Sequence, residues 1–243
     1  MNLAIIPARG GSRGIPGKNL RKLAGRTLIE WAVVAARGAA LVDGVAITTE
    51  SGQIADEAHR LGVPVIYRPE HLSTCEATID AVLAHAIEAT SWTDTVVLLQ
   101  PTSPLRTATH VREAIALLRV TGADSVVGVV AGHETHFAGR MKPRELYSSD
   151  CGADECCPPI STYYQWQPFS VASAAERPRT QALGPRGYEC GAIYVFTRAH
   201  WEATGNRMGG EMVAYPMDKM SGWDVDTEAD LDACRALAER VGM

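Results

Sequence analysis

Between Arg9 and Lys18 the sequence reads Arg-Gly-Gly-Ser-Arg-Gly-Ile-Pro-Gly-Lys, three cations and four glycines directly after the apolar run Asn2–Ala8. Glycines let consecutive backbone N–H groups turn toward one anion with no Cβ in the way, while Arg9, Arg13 and Lys18 supply charge. The chemistry that suits such a loop is the holding of a polyphosphate. It is not the common phosphate loop, which would need glycine at 12 and Ser or Thr at 19, where Ser12 and Asn19 stand. Nor does it give the GxGxxG spacing of a dinucleotide fingerprint. A second constellation, Asp224-Val225-Asp226, lies near the other end. Residues two apart in an extended segment share a face, so both carboxylates can meet one hard cation. Magnesium needs few protein ligands when it also takes phosphate oxygens and water. Asp226 or Thr227 is equally a natural N-cap for the last helix, with Asp230 completing a box from Thr227. The third constellation is Gln100-Pro101-Thr102-Ser103-Pro104-Leu105-Arg106. Its amide both donates and accepts and its two prolines fix the backbone, as a rigid binding wall requires. Thr107 or Thr109 suits the N-cap of the helix that follows.

These segments need a scaffold, and the apolar periodicity supplies one. Strands are expected at Asn2–Ala8, Gly44–Thr49, Pro64–Tyr67, Thr95–Leu99 and Ser125–Val130. Helices are expected at Thr27–Ala39, Gln53–Leu61, Thr78–Thr90 and Thr109–Thr121. Strands joined by helices imply an α/β fold with a mostly parallel sheet covered on both faces, whose ligands bind outside the carboxyl ends of the strands. The Arg9–Lys18 loop, Thr49-Glu50 and Gln100–Ser103 all fall at such ends. From 131 to 188 the alternation breaks, in a stretch holding six prolines and the aromatic run Tyr163-Tyr164-Gln165-Trp166. A structureless loop of that length is improbable inside a compact domain, so it reads as an inserted lid and dimerisation arm within a single domain, 1–243.

Composition narrows the classes. With 243 residues, 46% hydrophobic and 21% charged, the chain is long enough for one large domain, and a net charge of −5 argues against nucleic acid as a general partner. No apolar run approaches the roughly 20 residues of a membrane helix, and Met1-Asn2 enters a strand without a basic leader, which points to the cytoplasm. Six cysteines, at 75, 151, 156, 157, 190 and 234, form no CxxC pair and are expected as reduced thiols. His71 has no partner at metal or triad spacing, and no nucleophile–base pair is evident.

The stretches IIPARGGSRGIPGKNL at 5–20, LLQPTSPLR at 98–106, GAIYVF at 191–196 and WDVDTEADL at 223–231 resemble the cytidylyltransferase family that makes CMP-sialic acid and related CMP-activated acids. The resemblance runs from end to end and implies a Rossmann-like sheet of the nucleotide-diphospho-sugar transferase type. It implies transfer of CMP from CTP to a small anionic acceptor with loss of pyrophosphate, Mg²⁺ as cofactor on Asp224 and Asp226, and a homodimer through the 131–188 arm. By the same resemblance Ala8, Arg9, Gly10, Gly11, Ser12, Arg13, Lys18 and Asn19 hold the nucleotide with Arg68, Ala77 and Thr78. Arg13, Lys18 and Asp224 take the catalytic roles. Gln100, Thr102 and Ser103 lie on the acceptor side, with Arg140, Lys142, Arg179 and Gln181. Departures cluster there. The sialic-acid enzymes carry a lysine soon after a His-Asn-Pro-Phe-like stretch and an Arg-x-Asn-like sequence before GAIY, whereas this chain has His136-Phe137-Ala138-Gly139 and Tyr188-Glu189-Cys190. A sialic-type sugar acid therefore competes with a small phosphonate as acceptor. A phosphonate already presents an anionic oxygen, whereas a sugar hydroxyl benefits from a base. A glycosyltransferase with an Asp-x-Asp metal motif and a non-catalytic nucleotide sensor are more distant readings.

Overall fold

The computed structural model describes residues 1–12, 14–90, 94–131, 138–145, 162–168 and 186–241. The chain opens with β1 (Asn2–Pro7), buried along almost its whole length, as expected of a strand covered on both faces. After the glycine-rich loop and a small two-stranded ribbon, β2 (Lys22–Leu23) with β3 (Arg26–Thr27), comes α1 (Leu28–Gly38). Thr27 caps α1 by accepting from the Glu30 N–H. Then follow β4 (Gly44–Thr49), α2 (Gly52–Arg60), β5 (Val65–Tyr67), α3 (Ile79–Glu88), β6 (Thr95–Leu98), α4 (Ala108–Thr121) and β7 (Ser125–Ala131). Every element expected from periodicity up to residue 131 is found, within one or two residues of its expected ends.

Beyond 131 the structure adds β8 (Ala138–Glu145), β9 (Thr162–Pro168), β10 (Arg186–Thr197), α5 (Arg198–Thr204), β11 (Met212–Met217) and α6 (Glu228–Val241). The sheet order is β5-β4-β1-β6-β10-β7-β11-β9-β8. Six of its first seven strands point the same way, and β10 runs against both its neighbours, β6 and β7. The expected Rossmann-like, mostly parallel sheet is thus present with one reversed strand in its middle. Within the 131–188 segment β8 and β9 pair with each other and continue the sheet from β11, and β8 also pairs with the start of β10.

Apolar faces of α1, α2 and α4 cover one side of the sheet through Ile29, Ala32, Ile54, Ala58, Ile115 and Leu118. Leu83, Ala86 and Ile87 of α3 and Trp201 of α5 cover the other. A third, smaller core joins Ile15 of the glycine-rich loop to Leu105, Val225, Leu231 and Cys234. Because β1, β4, β5, β6 and β11 are co-directional, the loops after them emerge along one edge. Arg9–Lys18, Glu50, Arg68, Gln100 and the 218–226 segment meet there.

Candidate active site

The glycine-rich loop is anchored before it reaches any ligand. Gly17 takes φ +61° ahead of a 3-10 turn at Lys18–Leu20, a conformation open to glycine at little cost. Ile15 is wholly buried against the C-terminal segment. A Cβ on Gly14 would stand 2.2 Å from the Asp226 carbonyl oxygen, so only glycine lets the two backbones approach this closely. Lys18 Nζ donates to the Val225 carbonyl at 2.8 Å and to Asp226 Oδ1 at 2.9 Å. The Val225 N–H in turn donates to the Thr102 carbonyl at 2.8 Å. Three motifs more than 80 residues apart in sequence are therefore stitched to one another through backbone atoms. Gly14→Ala should separate loop from acids, destabilising by about 1–3 kcal/mol as overpacking does. Denaturant titration of that variant checks this; an unchanged midpoint would mean that the loop yields freely.

The second wall is built around Glu50, at the end of β4. One carboxylate oxygen accepts from the Gly10 N–H at 2.7 Å. The other accepts from Arg68 Nη2 at 3.0 Å and from Ser73 Oγ at 2.7 Å. Burial opposes the charge on both partners. At Arg68 it outweighs the pairing and holds the guanidinium below its usual value. At Glu50 burial is again the largest influence, but the Ser73 and Gly10 hydrogen bonds and the Arg68 charge overcome it and leave the carboxyl below the usual carboxylate range. Nothing in the sequence pattern assigned Glu50 a role beyond its strand-end position. Its partners Gly10, Arg68 and Ser73 lie 40, 18 and 23 residues away.

The third wall is the Gln100–Arg106 turn. Arg106, only 3% exposed, donates from Nη1 to the carbonyls of Gln100 at 3.1 Å and Ala192 at 2.6 Å. Burial without a carboxylate partner pushes its guanidinium down to about 10. Arg106 ties this wall to β10 at the point where the β10–β7 register shifts between Glu189 and Tyr194. Gly191, at φ +72°, lies in that irregular stretch, and a Cβ there would reach within 3.1 Å of Gln100 Oε1. Such bulges re-aim side chains beside active sites. Read from the residues alone, it is Arg68 that looks like a solvated loop charge, and Arg106 only closes the Gln100–Arg106 stretch; both are buried.

These walls enclose a cleft of about 370 Å³. Its lining brings Ser12, Lys18 and Asn19 together with Asp224 and Asp226, while Arg9 donates from Nη1 to the Thr74 carbonyl at 3.2 Å. Pro7, Leu72, Ala77, Ile79 and Val82 add an apolar part to the lining, with Arg68 among them. Gln100 and Thr102 form the side. Ten of the residues singled out in the sequence therefore come together. Ala8 is buried and Ser103 wholly so, which leaves neither facing the cleft. Thr78 caps α3 by accepting from the Ala81 N–H. Gly10 and Gly11 lie in the loop without lining the cleft, the Gly10 N–H being taken by Glu50. Arg140 and Lys142 are positions on β8, while Arg13, Arg179, Gln181 and the cysteines at 151, 156 and 157 lie outside the described residues.

Residues 3–141, more than half of the chain, match the family model described as cytidylyltransferase. The chain belongs to the cytidylyltransferase family. It is 29% identical over 240 residues to an N-acylneuraminate cytidylyltransferase of Escherichia coli O18:K1:H7, covering 98% of this chain and 52% of that protein. It is 42% identical over 132 residues to a CMP-N,N'-diacetyllegionaminic acid synthase of Legionella pneumophila, covering 52% of this chain and 56% of that one. The chain thus spans about half the length of the curated relatives it matches. Among solved structures, CMP:2-keto-3-deoxy-manno-octonic acid synthetase complexed with CTP superposes with a TM-score of 0.74 at 17% identity, over 99% of both chains, and so shares the fold.

The family match ends before the acidic pair, whose setting the structure supplies. Val225 is wholly buried while Asp224 and Asp226 on either side are exposed, so the extended 224–226 segment does present both carboxylates on one side. Thr227, not Asp226, caps α6: Asp230 N–H donates to Thr227 Oγ1 at 3.2 Å and Thr227 N–H returns to Asp230 Oδ2 at 2.8 Å. Asp226 is left to Lys18. The Asp224 carboxyl sits in a recess between two walls although the residue's outer surface meets water. That partial desolvation, with the Asp226 charge added, pushes its pKa above the usual value against the pull of a Thr102 hydrogen bond. Asp224 also lines a second chamber of about 730 Å³.

Proposed function

We propose that this chain transfers CMP from CTP to an oxygen of a sialic-type sugar acid and releases pyrophosphate. One observation carries the reading. Arg9 and Lys18 of the cradle and the Asp224–Asp226 pair line a single cleft together with Arg68 and an apolar set of residues, and Asp224 also lines a second chamber. Pro7, Leu72, Ile79 and Val82 suit the faces of a base, Arg68 its polar edge or ribose, and Arg9, Ser12 and Lys18 the phosphates. The α-phosphorus then lies toward Asp224, where an acceptor in the chamber can reach it. The acceptor oxygen forms a bond to that phosphorus, the bond to the β-phosphate oxygen breaks, and its electron pair leaves with pyrophosphate; a hydroxyl acceptor gives its proton to water. The protein's work is positioning and charge stabilisation, with Lys18 and Arg9 holding the departing phosphates.

Asp224 and Asp226 fit Mg²⁺ as a two-carboxylate site that relies on phosphate oxygens and water for the rest. Among the described residues no group of three or more His, Cys, Asp or Glu gathers to hold a metal by itself. When bound, Mg²⁺ would offset negative charge on the phosphates. Asp224→Asn should raise the Mg²⁺ concentration for half-maximal rate at least about tenfold and lower kcat about 100-fold. Metal titrations of rate check this, and an unchanged titration would move the metal elsewhere. We further propose the cytoplasm as its setting and, on the family resemblance, a homodimer through the 131–188 segment. Among the described residues no helix is long and apolar enough to cross a membrane.

The test is pyrophosphate release from CTP with Mg²⁺ and N-acetylneuraminic acid, with ATP, GTP and UTP as controls. Release only with CTP supports the assignment. Release with phosphonoformate alone would turn it to the phosphonate reading. Bound CTP without release for any acceptor would sink transfer altogether, and hydrolysis of UDP- or GDP-sugars would favour a glycosyltransferase.

A further inference from the structure

The second chamber lies beside the irregular stretch of β10. Its acidic and basic lining residues are Glu189, Asp224 and Asp230 against Arg207 and Lys219. Arg207 is already committed. Its Nη1 donates to both carboxylate oxygens of Asp80 at 2.9 Å, and its guanidinium lies 4.8 Å from the Tyr194 ring centre. Glu189 Oε1 accepts from the Tyr194 hydroxyl and stands 3.7 Å from Arg207 Nη2. Its other oxygen makes no hydrogen bond among the described residues, and the side chain is 26% exposed. Lys219 is exposed.

Tyr194 and Arg207 thus brace a carboxylate with one oxygen to spare, at a mouth shared with the nucleotide cleft through Asp224. Resting on the cytidylyl-transfer reading, we propose that Glu189 is a specificity-determining residue. Its spare oxygen reads a hydroxyl or ammonium donor on the body of the acceptor, while Lys219 takes the acceptor's anionic end. A compact phosphonate offers no such donor. It would also bring two or more negative charges into a chamber whose lining already carries an excess of acids, and like charges at close range repel. A polyhydroxylated acid brings a single negative charge and several donors, and it fills more of the chamber.

The experiment compares wild type, Glu189→Gln and Lys219→Ala with CTP and two acceptors, N-acetylneuraminic acid and phosphonoformate, by pyrophosphate release. The glutamine keeps the shape and can still accept from Tyr194, but it loses the charge that strengthens a hydrogen bond. The expected result is a sugar-acid KM about fivefold to tenfold higher in Glu189→Gln, with the KM for CTP within about twofold of wild type. Activity toward phosphonoformate should be equal or better in the same variant. A merely structural role would impair both acceptors together, so parallel losses overturn the proposal. Lys219→Ala, a surface change that cannot unfold the chain, should raise the KM of both acceptors; indifference of both overturns the orientation proposed. If wild type turns over and Glu189→Gln matches it on every acceptor, the selecting role is wrong while transfer stands. If wild type binds CTP yet releases no pyrophosphate, transfer fails and binding of N-acetylneuraminic acid, followed by ligand-detected NMR, judges the chamber. Signal lost in Glu189→Gln supports it; equal signal, or none in wild type, overturns it.

Discussion

Lys18→Ala should lower kcat about 100-fold to 1,000-fold, the scale seen when one positioned donor is removed from a developing charge. Its effect on the fold should be small. The lysine stem is only 12% exposed, but its partner Asp226 is 71% exposed, and an ion pair so open to water contributes at most about 1 kcal/mol. The buried Val225 carbonyl also loses its donor, but Lys18 itself lines the cleft, so the space that alanine leaves opens to water that can replace the ammonium. Lys18→Met separates the two contributions further, because it keeps the apolar stem and removes only the charge. Both variants should melt within a few degrees of wild type while releasing pyrophosphate at a small fraction of its rate. Turnover near wild type in Lys18→Met would remove Lys18 from the phosphate site. A large fall in melting temperature would instead assign it to the docking of the loop on the C-terminal segment. Lys18 bridges to Asp226. On the proposed reading CTP would have to draw the ammonium from Asp226 toward phosphate oxygens.

The alternation of strands and helices up to residue 131 was legible because each element there carries a pattern of its own. Asn2–Pro7 and Thr95–Leu98 are apolar on both faces, and Thr27, Thr78 and Thr107 stand as caps at helix starts. The reversed β10 was not legible, since direction within a sheet depends on partners far away in sequence and leaves no local period. β11 was passed over for a related reason. It follows a short helix and glycine-rich turns and contains Pro216, yet its residues 212–215 are all buried against β7. Of the site, the cradle, the wall and the acids could be read because glycines, prolines and carboxylates are spaced for their chemistry. Glu50 and Arg106 could not. Each is a single charge in a turn, and no local pattern marks its partners: Glu50 finds the Gly10 N–H, Arg68 and Ser73, and Arg106 finds backbone carbonyls that any sequence possesses. The alternation at Asp224-Val225-Asp226 was read correctly, but only the structure shows why it holds: Val225 is buried against Ile15 and Leu231 and turns its neighbours outward.

Glu50→Ala should be the most damaging change outside the phosphate cations, because one carboxylate serves two walls. Without it the Gly10 N–H loses its acceptor and Arg68, whose side chain is 3% exposed, becomes an uncompensated buried charge. Breaking such a pair typically costs about 3–5 kcal/mol. We expect the low end, because Glu50 itself is 20% exposed and water can enter. The KM for CTP should rise at least about tenfold as Arg68 and the loop lose their positions. Glu50→Gln, which keeps the shape, isolates the charge. The Glu50 pKa is depressed in the folded state, so the stability it contributes is fully present above the ordinary carboxylate value of about 4.3 and is lost as pH falls through the lower folded value. Denaturant titrations of wild type and Glu50→Gln should therefore differ at pH 7 and converge as the medium becomes acid. A gap independent of pH would mean that the glutamine disturbs packing rather than charge. No gap at either pH, with the KM for CTP unchanged, would show that Gly10 and Arg68 hold their places without Glu50.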